Sequence, residues 1–233
     1  MSAIDVGPLL VVSALPEELV SSKKRLSGRR FVFGVTGDGP ANAARALEAF
    51  IEKHRPRAIV AIGIAGALSP GLRFGDVLVA ERIVGDGATA PPPDAGLLAS
   101  AERAGARRST LVTVTAPVTS VGEKEKLLSE LGTAGLVAVD MESAAWARVA
   151  ASHGVPFVVL RAISDDADTA LPVFLAGCLG VDGGIDRGRV VRYALVHPAV
   201  VPSLVALRKV LVGAAERLGP VVEIVASTEL RSG

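Results

Sequence analysis

The chain has 233 residues, of which 50% are hydrophobic, 21% charged and only 3% aromatic, with a formal net charge of +1. This balance argues against a global field for nucleic acid or an anionic membrane, and the length buries a full core in a single domain, assigned here to 1–233. A single cysteine, Cys178, rules out an internal disulfide framework and suits a reducing, cytoplasmic compartment.

The start, Val6 to Leu15, is apolar but has no basic flank and runs into Pro16-Glu17-Glu18, so it reads as a buried strand rather than a leader. The basic cluster of Lys23–Arg25 with Arg29 and Arg30 reads as a solvated turn. Apolar runs at Leu9–Ser13, Phe31–Thr36, Ala58–Ile62, Val77–Ala80, Leu111–Thr115, Leu136–Val139 and Phe157–Ile163 largely lack period-two alternation. Strands of that kind are buried on both faces, as in a mainly parallel sheet covered by helices. Helical spacing marks Ala41–His54, Asp94–Ala104, Gly122–Leu131 and Met141–His153, the last closed by Gly154-Val155-Pro156. The expected fold is therefore α/β, a three-layer arrangement with a mixed, mostly parallel sheet between helices. Beyond a Gly-rich stretch, Leu171–Gly188, the segment Arg189–Leu218 reads as two helices broken at His197-Pro198, and the residues after Gly219 as a frayed tail or late strand. No apolar run reaches the ~18 residues of a spanning helix. His54, His153 and His197 lie too far apart to suggest a metal site.

Polar residues at strand ends are the candidates for chemistry, because ligands of open α/β sheets bind there. Glu17 and Glu18 follow the first strand, where a carboxylate serves as a general base or caps the next turn. Gly37-Asp38-Gly39-Pro40 precedes a helix; it is an ordinary turn or one whose N–H groups face an anion or a sugar hydroxyl, without Walker or GxGxxG spacing. Gly63-Ile64-Ala65-Gly66-Ala67-Leu68 offers close backbone approach to a ligand or tight packing. Val139-Asp140-Met141-Glu142 and Arg161-Ala162-Ile163-Ser164-Asp165-Asp166 place acidic groups at the ends of two apolar strands, and together they suggest a shared cleft.

Those last two segments, with Ala14-Leu-Pro-Glu-Glu18, Gly63–Leu68 and Gly75-Asp76-Val77, resemble the nucleoside phosphorylase and nucleosidase superfamily in order from Leu9 to Asp168. Asp168-Thr-Ala-Leu-Pro172, the glycines up to Gly188 and Val190–Leu207 are similar to the hopanoid-associated phosphorylases, which act on adenosylhopane. The resemblance implies cleavage of a purine–ribose bond. Asp165 would be the general acid at purine N7, Glu142 with Met141 would hold the ribose hydroxyls, and Glu18 would activate water. Ser164, Gly39 and the backbone at Ile64, Ala65 and Gly66 would orient the ligand. An apolar setting beside Ala162 and Ile163 would help Asp165 keep its proton.

Two departures from the family pattern bear on the acceptor. The position before the central glycines, where phosphorylases carry an arginine for phosphate, holds Ala61-Ile62-Gly63. The nucleosidase serine is replaced by Ile64, and no aromatic stands near Thr119-Ser120. Water is favoured over phosphate as acceptor, although Arg45 or Arg73 could reach the site. No cofactor is expected beyond phosphate as a possible co-substrate. The expected partner is a small purine nucleoside, with a lipid-like 5′ substituent if the hopanoid resemblance holds. The apolar stretch Val190–Val212 would then cradle that substituent or touch a membrane surface, the plainer alternative being packing against the sheet or a second subunit. Family resemblance implies a homo-oligomer. Alternative readings are a methylthioadenosine/adenosylhomocysteine or futalosine nucleosidase, or a nucleoside-binding protein without catalysis.

Overall fold

The computed structural model describes residues 7–172 and 187–232. Its strands are β1 (Leu9–Ser13), β2 (Phe31–Val35), β3 (Ala58–Ala67), β4 (Val77–Gly85), β5 (Ala88–Thr89), β6 (Arg107–Thr113), β7 (Val137–Asp140) and β8 (Phe157–Asp165). Its helices are α1 (Val20–Arg25), α2 (Pro40–His54), α3 (Ala95–Arg103), α4 (Val121–Leu131), α5 (Ser143–Ser152), α6 (Arg187–Val196), α7 (Val201–Glu216) and α8 (Leu218–Ser232), with short 3-10 turns at Pro16–Leu19 and Pro198–Val200.

All five residues of β1 and all nine of β8 are buried, as expected of strands covered on both faces. Parallel pairs join β2 to β1, β1 to β3, β3 to β8, β4 to β6 and β6 to β7. Antiparallel pairs join β3 to β7, β4 to β5 and β4 to β8. The strands β3, β8, β4, β6 and β7 therefore form a closed ring of pairings, with β1 and β2 extending from β3. The ring brings the ends of β3, β7 and β8 together at one mouth.

Helix boundaries follow local chemistry. In α2, Pro40 stands at the first turn, and Arg55, in the left-handed conformation, ends the helix before Pro56. Its Ala43, Leu47 and Ile51 recur every four residues and are buried against the sheet. A capping box starts α4, with the Glu123 N–H donating to Ser120 Oγ at 3.2 Å and the Ser120 N–H to Glu123 Oε2 at 2.9 Å.

Four expectations change. The glycine segment Gly63–Ala67, expected to follow a strand ending at Ile62, is itself the second half of β3, held extended by pairing with β8. Lys23–Arg25 lie in α1 rather than a loop. The residues after Gly219 form α8, whose Leu218, Val221, Val222 and Val225 are buried beside β3 and β8. Finally, Pro198–Glu229 is long and apolar enough by length and composition to cross a membrane, which the charged and proline residues within it disguise in sequence. The expected break at His197-Pro198 is present. Cys178 and most of the Gly-rich stretch lie outside the described residues.

Candidate active site

A cavity of about 730 Å3 opens at the mouth of the ring, well within the range of small-molecule sites. Glu18, Ile64, Ala65, Gly66, Met141, Glu142, Ser164 and Asp165 line it, so eight of the nine residues expected at the site stand on one wall system. Gly39 is the exception. Its N–H is committed to Glu142 Oε1 at 3.1 Å instead of facing a ligand, and its φ of 81° is one that glycine adopts at little cost.

Glu18 caps its turn and also ties that turn to β3. Its Oε2 accepts the Leu15 N–H at 2.9 Å, capping the 3-10 turn, while Oε1 accepts the Ile64 N–H from β3 at 3.1 Å. Burial pushes its carboxyl up to about 7, against the opposing pull of Arg161 and the two N–H donors. Glu142, at the start of α5, is likewise raised above the usual carboxylate range by burial, with Asp140 and Glu18 reinforcing it against Arg161.

Arg161 organises this acidic end. It is 1% exposed in the middle of β8 and lies over the Trp146 ring, with its guanidinium carbon 4.9 Å from the ring centroid. Its Nη2 stands 2.5 Å from Asp140 Oδ2 and 3.3 Å from Glu142 Oε2, and it donates to Ser143 Oγ at 3.0 Å. Gly63 makes room for it: a Cβ there would come within 2.0 Å of Arg161 Nη1. The Asp140 carboxylate also accepts from Thr113 Oγ1 at 2.7 Å and from the Ser143 hydroxyl.

Asp165 faces this group from the end of β8, and its surroundings are not apolar as expected. Ser164 Oγ donates to its Oδ1 at 2.6 Å, and Lys124 Nζ lies 2.5 Å from its Oδ2. Lys124 is 1% exposed and also donates to the carbonyls of Asp166 at 2.8 Å and Thr169 at 2.9 Å. All three ammonium protons thus have acceptors, and one side chain fixes both Asp165 and the loop that rims the cavity.

Sequence reasoning missed the roles of Arg161 and Lys124 in different ways. Arg161 carried a signal, a lone charge inside the wholly apolar run Phe157–Ile163. Lys124 carried none, since it alternates with Glu123, Glu125 and Lys126 exactly as an exposed helix face does. Arg45 and Arg73 do not line the cavity. Arg45 bonds Asn42 Oδ1 on the exposed side of α2, and Arg73 pairs with Asp166 at 3.4 Å with 65% of its side chain exposed.

Six carboxylic residues line the cavity (Glu18, Asp38, Asp140, Glu142, Asp165 and Asp166), and no Arg or Lys stands among the described lining residues. The rest of the wall is mainly apolar, with Phe74, Val118 and Leu171 beside Ala206, Leu207, Val210 and Leu211 from α7. Such a site favours a developing positive charge and disfavours a phosphate dianion.

The sequence profile of the phosphorylase superfamily matches residues 17–175, which contain all six of these carboxylic residues but not the α7 wall. The chain belongs to the phosphorylase superfamily. Within the superfamily it is similar to the 5′-methylthioadenosine/S-adenosylhomocysteine nucleosidase of Geobacillus kaustophilus, with 32% identity over 167 residues, 63% of this chain and 71% of the relative. Among solved structures it is similar to S-adenosylhomocysteine nucleosidase of Streptococcus pyogenes in complex with 5-methylthiotubericidin, with TM-score 0.72 and 19% identity over 96% of this chain and 97% of that one. The 5′-methylthioadenosine/S-adenosylhomocysteine nucleosidase of Neisseria meningitidis in complex with methylthio-immucillin-A gives 0.69 and 22%, over 95% and 100%. The phosphorylase-like fold is thereby shared over nearly the whole length.

Proposed function

We propose that this chain hydrolyses the N-glycosidic bond of an adenosine derivative and releases adenine. One observation carries the reading: two buried glutamates gathered about Arg161 face Asp165 across a cavity whose described lining has no cation for phosphate. As the bond breaks, positive charge grows on the ribose and negative charge on the base. Glu142, in the cavity wall, would hold the ribose hydroxyls, and Glu18, raised to about 7, is matched to taking a proton from water near neutrality. Asp165 would relay a proton from the Lys124 ammonium, 2.5 Å from its Oδ2, to N7 as the bond breaks, with Ser164 holding its other oxygen.

The names of the relatives support methylthioadenosine or adenosylhomocysteine as substrate. A second reading, a large apolar 5′ substituent as in adenosylhopane, is favoured by the apolar α7 wall. The test is adenine release from adenosine, methylthioadenosine and an adenosylhopane-like substrate, with and without phosphate, for the wild type and Asp165→Asn. Phosphate-independent release that collapses in the variant supports hydrolysis, and the ranking of substrates decides the 5′ group. A folded wild type that releases adenine from none of them overturns the catalytic reading in favour of nucleoside binding.

A further inference from the structure

The outer surface of α6 and α7 has the opposite character to the rest of the molecule. From Gly188 to Lys209 the chain carries four basic residues, Arg189, Arg192, Arg208 and Lys209, all exposed, and no acidic one, whereas the whole chain has a net charge of only +1. The same stretch exposes aliphatic side chains to an unusual degree: Val191 is 59% exposed, Leu195 78% and Val196 69%, with Val201 and Val205 beyond them on α7. On α7 the helical period sets two faces. Ser203, Ala206, Leu207, Val210 and Leu211 turn towards the cavity. Val201 and Val205 fall on the opposite side, flanked by the exposed Arg208 and Lys209.

We infer that α6 and the first half of α7 form an interfacial docking surface for an anionic lipid bilayer, with the cavity mouth held beside it. Aliphatic residues interleaved with cations are the pattern of a helix lying at a headgroup boundary, where apolar side chains enter the acyl layer and Arg and Lys meet anionic lipid. The composition distinguishes this from two other fates. Spanning is opposed by the far half of the long helix: Leu218, Val221, Val222 and Val225 belong to the protein core and would have to leave it. A symmetric second copy is opposed by charge, because an isologous contact would set two like basic surfaces against each other. Net charge alone hid the surface, since the acidic residues that cancel it lie elsewhere in the chain. Docking does not depend on the chemistry within the cavity.

The test is flotation of the full chain with vesicles of phosphatidylcholine alone or mixed with phosphatidylglycerol, alongside sedimentation without lipid. The wild type is expected to float with the anionic vesicles only, and less so as salt is raised. Arg208→Gln with Lys209→Gln should weaken partition about 25-fold, at about fivefold per charge. Leu195→Ser should weaken it about tenfold or more through lost apolar burial. Failure to bind anionic vesicles, equal binding to both vesicle types, or self-association that Leu195→Ser abolishes would each overturn the inference. None of these residues lines the cavity, so adenine release from a soluble nucleoside by the same variants reports folding. A wild type that floats but releases no adenine sinks the catalytic reading and leaves the docking surface standing.

Discussion

Replacing Glu18 by Gln should inactivate the protein and yet stabilise it above neutrality. The carboxyl is raised from 4.5 to about 7 by burial, a shift worth about 3 kcal/mol at about 1.4 kcal/mol per unit. The sign follows from proton counting. Between those two values the folded protein binds more protons at Glu18 than the unfolded chain does, so this residue's contribution to stability falls as pH rises from about 4.5 to 7. Above that window the folded state carries a buried, incompletely compensated charge. Gln removes the charge but accepts from only one of Leu15 N–H and Ile64 N–H in the present geometry, which costs roughly 1 kcal/mol. The net expectation is about 2 kcal/mol of stabilisation at pH 8, or roughly 4–8 °C in Tm for a domain of this size. At pH 4, where the native carboxyl is already neutral, the same substitution should destabilise slightly. Thermal unfolding of both proteins at the two pH values, with adenine release measured in parallel, checks this. An equal shift at both pH values would refute the assignment of the raised carboxyl to Glu18.

Asp165→Asn should lower kcat about 10²–10⁴-fold with little change in Tm, measured by adenine release and thermal unfolding. Lys124→Gln should lower kcat and alter its pH profile, because Asp165 and the Asp166 and Thr169 carbonyls lose their shared donor; an unchanged profile would make Lys124 a packing residue only. Arg161→Met should cost about 3–5 kcal/mol in denaturant unfolding, since Asp140 and Glu142 would be left buried without their counter-charge. In the wild type, kcat/KM should rise with pH through about 7 as Glu18 becomes available as base.

The apolar strands made most of the fold legible. Runs such as Leu9–Ser13 and Phe157–Ile163 have no polar alternation, so burial on both faces was their only inexpensive state, and the helices between them followed from spacing and caps. Closure of the ring was not legible, because antiparallel pairing of β7 with β3 and of β4 with β8 depends on long-range register. At the site, Glu18, Glu142 and Asp165 could be named because each sits at the end of an apolar run. Their supports could not. Lys124 is buried by a loop that reaches it from Asp165–Thr169, and no local pattern in α4 records that contact. The exposure of α6 and α7 was hidden for the converse reason: Val and Leu at helical spacing look the same whether a sheet, a partner or a membrane is to cover them.

The acceptor is the claim on which the account turns, and the sugar product decides it most directly. The reaction run in 18O-labelled water with excess inorganic phosphate should yield adenine and a free sugar labelled at C1, the outcome we propose for a cavity whose described lining holds six acidic residues and no Arg or Lys. An unlabelled sugar 1-phosphate would contradict it, and would mean that phosphate finds a cation this arrangement does not provide.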